Sequence, residues 1–387
     1  MKALQFSRKE ARFAAAAVSS RLRPGAGARV GPLDLVETEA PDLPGPGWHR
    51  VEPLLAGICG SDLATVDGRS ARYFEPWVSF PFVPGHEVVG RMADGARVVL
   101  EPVLGHEARG YEPPFPNAAP GDGNDYRHLV SGLVEPGIQI GYCASTGGGW
   151  STELVAHASQ LHPIDPSLSD EAAVMIEPAA VGVHAAFKAQ ARPGDTVVVL
   201  GSGTMGLVTV AALRHFTEAG TIIASAKYPE QSALARRLGA DIVVSPDELA
   251  RAVRRTTGSF LIGDDLSGGA DVVVDAVGSA ASVDEAIGVT RPRGRVVLVG
   301  MPGRVNVDLT ALWHRETELV GAYTYGTEQL SDGTTRRTFE LATELVARAD
   351  LSALVSATYR LEQYQDAIAH AANAGARGAI KVCFDLR

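Results

Sequence analysis

Residues 195–216 read DTVVVLGSGTMGLVTVAALRHF, and this stretch decides the fold. Val197–Leu200 is apolar without alternation, as expected of a strand buried on both faces. The turn after it sets Gly201, Gly203 and Gly206 in a G-x-G-x-x-G arrangement, and a helix-like apolar pattern follows. In such a turn the first glycine permits the reversal and the second lets backbone approach a pyrophosphate. The third lets the helix pack on the strand. The helix N-terminus adds free N–H groups and the positive end of the dipole. Strand, turn and helix together predict dinucleotide binding.

The same alternation extends outward from this stretch. Residues 165–194 read as a helix, with Ser169 or Asp170 as N-cap and Glu171 in the first turn. TIIASA (221–226), DIVVS (241–245), ADVVVDAVGS (270–279) and GRVVLVGMPG (294–303) read as further strands between helical segments. Apolar strands alternating with helices imply a parallel sheet covered on both faces, so 166–322 is expected to be a doubly wound α/β domain. Residues 1–165 are instead rich in Gly and Pro, with short β-branched runs such as HRVEPLLAG (49–57) and STELVAHASQLHPI (151–164). Short strands and loops, rather than helices, are expected there. The tail from Tyr323 ends in GAIKVCFDL (378–386), a strand expected to rejoin the first domain. Residues 1–165 and 323–387 would then form one discontinuous domain.

Composition narrows the partners. The net charge of −10 argues against nucleic acid or an anionic membrane as the main partner. Cys59, Cys143 and Cys383 lie too far apart for a disulfide framework, which suits a reducing compartment. The apolar run Phe13–Val18 is too short for a signal sequence, and no stretch near 18 apolar residues is evident. A soluble cytoplasmic protein is expected.

Coenzyme choice is read at the end of the second strand. Ala226 stands where an NAD site usually carries an acid, and Lys227 follows it. A missing carboxylate removes repulsion of a 2′-phosphate, Lys227 adds attraction, and Ser225 can donate a hydrogen bond. NADP(H) is expected in preference to NAD(H).

A second constellation lies outside this domain. LAGICGSDLA (55–64) puts Cys59 between two glycines, followed by Ser61 and Asp62, which suggests a nucleophile or a metal ligand. His86 and Glu87 are adjacent within FVPGHEVVG, and Glu177 precedes Pro178 at a helix start. Cys59, His86 and a glutamate make a sensible zinc set. Taken singly, they read as a small buried residue, a loop histidine and a helix-cap charge.

GICGSD, PGHEVVG, IEPAAVGVHAA and VLGSGTMGL, in this order over nearly the whole chain, resemble the zinc-dependent medium-chain alcohol and polyol dehydrogenases. The sorbitol-dehydrogenase-like branch resembles it most, because that branch carries Glu in an EP dipeptide, as at 177–178. The resemblance implies a GroES-like β-rich catalytic domain beside a Rossmann domain, assembled as a homodimer or homotetramer. It implies one catalytic zinc per subunit, held by Cys59, His86, Glu87 and Glu177, with the glutamates acting directly or through water. Ser61 would take the proton of the substrate hydroxyl, Asp62 would orient His86, and Lys381 would lie near the pyrophosphate. A zinc would lower the pKa of a bound alcohol, and hydride would pass between a secondary alcohol, polyol or sugar-like substrate and NADP(H).

Two departures stand out. Ala64 occupies the place of the family's relay histidine, so the proton's route beyond Ser61 is unassigned. Residues 105–128, GHEARGYEPPFPNAAPGDGNDYRH, lack the four cysteines of a structural zinc, with Phe115 and Ala118 at a C-x-x-C-like spacing. Such a lobe must be held by packing or be mobile, although His106, His128 and nearby acids leave room for a rebuilt site. The substrate pocket is expected from Tyr73, Phe74 and Trp77, closed by Tyr323 and Tyr325. A metal-free enone or quinone reductase and a non-catalytic NADPH-binding protein are the alternatives. The retained ligand set counts against the first, and Ser61 with Asp62 against the second.

Overall fold

A computed structural model describes residues 1–387, which divide into two compact units. Pro178–Ala349 holds a six-stranded parallel sheet in the order Ile242–Val244, Thr221–Ser225, Thr196–Leu200, Ala270–Asp275, Thr290–Leu298, Glu318–Gly321. Every neighbouring pair in it is parallel. Strand order reverses beside Thr196–Leu200, the place where doubly wound sheets bind ligands. Val198, Leu200, Ile223, Val273 and Val296 form its core with the helix residues Leu249, Val253 and Ala286.

Met1–Glu177 and Asp350–Arg387 make the other unit. Its main sheet runs Val355–Tyr359, Lys381–Asp385, Trp48–Gly57, Val88–Met92, Arg97–Leu100, Leu161–Pro163, and Leu154–His157 also pairs with Trp48–Gly57. The last strand of the chain thus lies antiparallel to Trp48–Gly57, with Cys383 opposite Gly57. This pairing brings the C-terminal strand to the segment that leads into Cys59.

The unit boundaries differ from 165 and 323. Residues 166–177 stay with the first unit, where Arg97 Nη2 lies 2.7 Å from Asp170 Oδ1. Residues 323–349 stay with the second: Thr338–Ala349 packs on the helix Thr204–Phe216. There Glu328 accepts from Thr338 Oγ1 at 2.8 Å and lies 2.6 Å from His184 Nδ1. Asp170–Ala189 is long and apolar enough to cross a membrane, but 78% of it is buried, as in a core helix.

The first third is also less purely stranded than expected, because Glu10–Leu22 is a helix. It and the short turn after it clasp the C-terminus of the helix Gly60–Val66. Asp67, fully buried, accepts from Gly25 N–H at 2.9 Å and Gly27 N–H at 3.0 Å, while Ser20 donates to the Asp67 carbonyl. A side chain on Gly27 would put its Cβ 2.1 Å from the Val66 carbonyl oxygen, so only glycine allows this approach. The clasp braces the helix that carries Ser61 and Asp62.

Candidate metal and proton-transfer site

Cys59 caps the helix Gly60–Val66, and Asp62 sits at its third position. Asp62 Oδ2 accepts from the Cys59 N–H at 2.9 Å, and the Cys59 side chain faces the Asp62 N–H in return. This is a capping box with a thiol in place of the usual hydroxyl. It explains why a carboxylate follows the cysteine by three residues: it locks the turn that aims the thiol.

The same carboxylate reaches toward His86. Asp62 Oδ1 lies 3.4 Å from His86 Nδ1, and both residues are buried. The two atoms face each other without forming a hydrogen bond, and neither has another hydrogen-bond partner. Gly85 makes the approach to His86 possible: its φ is +92°, and a Cβ there would lie 2.3 Å from Trp150 Cδ1.

Ligand-type atoms of Cys59, His86 and Glu87 all lie within 4.8 Å of one another. Thiolate, imidazole and carboxylate at this separation suit zinc. The orphaned Nδ1 and Oδ1 are a further sign, since buried polar atoms normally find partners. A cation on the other ring nitrogen would favour an Nδ1–H aimed at Asp62. The expected fourth ligand is not among these donors. Glu177, buried in the first turn of Ile176–Ala189, falls outside the cluster.

Lys381 is placed differently from the expectation that put it beside a pyrophosphate. Its ammonium is buried and donates to both oxygens of Glu87, at 2.6 and 2.7 Å, and to the Ile58 carbonyl at 3.4 Å. Burial alone would lower its pKa, but the charge of Glu87 outweighs that and raises it. The cause is topological: antiparallel pairing carries Lys381 from the last strand to the back of the cysteine–histidine site. Glu87 fits beside it only because residue 57 is glycine, where a Cβ would meet Glu87 Oε2 at 1.8 Å.

In the other unit, the glycine turn has the shape its spacing predicted. Gly201 has φ +85°, and a Cβ on Gly206 would stand 1.7 Å from the Gly201 carbonyl oxygen. Nothing in the protein lies within 4 Å of a Cβ at Gly203, so the fold itself does not demand glycine there. That open space suits a phosphate group approaching the backbone. Ser202 Oγ donates to the Ser225 carbonyl at 2.8 Å and ties the turn to the next strand. Ser225 and Ala226 are buried at that strand's end; Lys227 is exposed, its ammonium 5.7 Å from the Tyr228 ring centroid.

The expected pocket aromatics part company. Tyr73 is exposed and packs on Phe74 and Trp77, and Trp77 meets Tyr126 edge-on at 5.8 Å. Tyr325 is buried against Phe339 and is a core residue, whereas Tyr323 is exposed. His106 and His128 stack at 3.9 Å, and burial, with repulsion from His106 and Arg109, pulls His128 down to about 4. No third ligand atom joins the two rings in a metal-type cluster.

Three residues were missed in the sequence. Tyr142 packs 6.1 Å from the His86 ring. Arg109 is buried at the centre of the cysteine-free lobe. The third, Asp67, holds the N-terminal clasp described above. A buried charged residue is rare unless paired, yet nothing local in the sequence marks Arg109 or Asp67 as buried.

Residues 45–166 match the family model of the alcohol dehydrogenase GroES-like domain, and 204–347 match that of the zinc-binding dehydrogenases. A sorbitol dehydrogenase of Bacillus subtilis is 29% identical, over 87% of this chain and 90% of its own. A probable D-xylulose reductase A of Arthroderma otae is 32% identical, over 76% and 78% respectively. Among solved structures, 2R,3R-butanediol dehydrogenase from Bacillus subtilis superposes with a TM-score of 0.69 at 23% identity, covering 91% of this chain and 96% of that one.

Proposed function

The chain belongs to the zinc-binding alcohol and polyol dehydrogenase family, and from that premise we propose a zinc-dependent oxidoreductase that prefers NADP(H). Its substrate would be a secondary alcohol of polyol or sugar type, or the matching ketone. The observation that carries this reading is the three-donor cluster of Cys59, His86 and Glu87, with Ser61 two residues past the cysteine. Cys59 and His86 would be the stronger ligands, because Glu87 already shares its charge with Lys381. Zinc, when bound, supplies a Lewis acid that eases loss of the hydroxyl proton. Ser61 accepts that proton, and Asp62 holds the Cys59 turn while its second oxygen faces His86. The glycine turn of the second unit binds the coenzyme phosphates, with Gly203 leaving room for them.

Metal analysis of the purified protein tests the zinc assignment. One zinc per chain is expected, lost with activity in Cys59→Ser; full activity without stoichiometric zinc would overturn the reading. For the coenzyme, Ala226→Asp is expected to lower the NADP+/NAD+ ratio of kcat/KM by about tenfold or more, equivalent to roughly 1.4 kcal/mol. Lys227→Ala, at an exposed site, should weaken NADP+ and leave NAD+ unchanged. Unaltered ratios in both variants would refute the NADP preference.

A further inference from the structure

We propose that the proton taken up by Ser61 leaves through a chain of side-chain hydroxyls, Tyr142, Thr65 and Ser70. The inference rests on the dehydrogenase reading above and supplies the route that Ala64 cannot.

The helix Gly60–Val66 carries Ser61 and, four residues on, Thr65, which puts them on one face. Thr65 Oγ1 is a junction: it lies 2.9 Å from the Ser61 carbonyl oxygen, 2.8 Å from Ser70 Oγ and 3.4 Å from the Tyr142 hydroxyl. The Ser61 side chain lies near the Tyr142 hydroxyl. Tyr142 is held there by its ring, packed 5.3 Å from Phe82 and 6.1 Å from His86. Thr65 and Tyr142 are buried, whereas Ser70 is partly exposed. The hydroxyls therefore run from beside the His86 ring to the surface.

Each member is a hydroxyl, both donor and acceptor, so each can accept one proton as it releases another. Thr65 has a single hydrogen and two acceptors, the Ser61 carbonyl and Ser70 Oγ. Rotation from the first to the second opens the outward step. In alcohol oxidation the carbinol C–H bond breaks and its electron pair goes with hydrogen to the nicotinamide of NADP+. The O–H bond breaks as C=O forms, and its proton enters at Ser61 and reaches water at Ser70. Alcohol and NADP+ thus give ketone, NADPH and one proton.

Single-turnover stopped flow on the zinc-loaded enzyme tests the route, following nicotinamide absorbance and a pH-indicator dye together. In the unsubstituted enzyme the two signals should rise together. Tyr142→Phe and Thr65→Val should slow both by roughly tenfold or more, with a larger solvent deuterium effect and unchanged zinc content. Added imidazole should restore the rate, and Thr65→Ser, which keeps the hydroxyl, should recover most of the rate that Thr65→Val loses. Unsubstituted rates in both broken-chain variants would overturn the proposal, as would slow variants that imidazole leaves slow. If Tyr142→Phe misfolds, Thr65→Val against Thr65→Ser decides alone. Absence of nicotinamide reduction by the unsubstituted enzyme with every alcohol would instead bring down the dehydrogenase reading, and this route with it.

Discussion

Lys381→Met is expected to cost about 3–5 kcal/mol of stability, because it leaves a carboxylate buried without its counter-charge. Lys381 and Glu87 have side-chain exposures of only 3% and 1%, so water cannot substitute for the lost ammonium. The ion pair as a whole is worth much less, since burying two charges nearly cancels their attraction. Lys381→Met combined with Glu87→Gln should therefore recover most of the loss, a strong non-additivity expected of a contacting pair. Urea unfolding midpoints of the single and double variants at neutral pH check both points. A single variant within about 1 kcal/mol of the unsubstituted protein would show that the pair is not the anchor described.

What the sequence made legible follows the reach of each interaction. Thr196–Leu200, the glycine turn and the helix after it are local, and Gly201 shows the positive φ and Gly206 the close backbone approach that their spacing demands. Cys59 and His86 were legible as chemistry, and the donor cluster joins them. The partner of Glu87 was not, because Lys381 arrives from 294 residues away through strand pairing that no local pattern encodes. The capping role of Asp62 was readable in principle: C-x-x-D has capping-box spacing, but cysteine is an unusual N-cap, so only the orientation of His86 was expected of it. The unit boundary moved for a related reason. The helix Thr338–Ala349 is amphipathic, and its apolar face could serve either unit until the packing on Thr204–Phe216 is seen.

The cysteine-free lobe gives the second large effect. Arg109 is 1% exposed and donates to five backbone carbonyls: Leu104 at 3.1 Å, Ser131 at 2.9 Å, Val134 at 3.2 Å, Glu135 at 3.3 Å and Gly137 at 2.6 Å. The lobe was expected to be held by packing or to be mobile; instead a guanidinium gathers the chain from both ends of residues 104–137. Burial lowers Arg109 to about 10, which still leaves it cationic at neutral pH. A planar fork of N–H donors can satisfy carbonyls in several directions, which the compact ammonium of lysine cannot. Arg109→Met would strip all five acceptors of a donor, at about 1–3 kcal/mol for each one that stays buried. The cheaper course is for the segment to open and let water in, so local unfolding is expected before global loss of structure. Limited proteolysis should then cut Arg109→Met within residues 105–137 at protease levels that leave the unsubstituted chain whole. Arg109→Lys should be intermediate, retaining charge but fewer contacts. If Arg109→Met resists cleavage as the unsubstituted chain does, packing of Leu104, Ala108 and Val134 into their core cluster holds the lobe, and the guanidinium is a passenger.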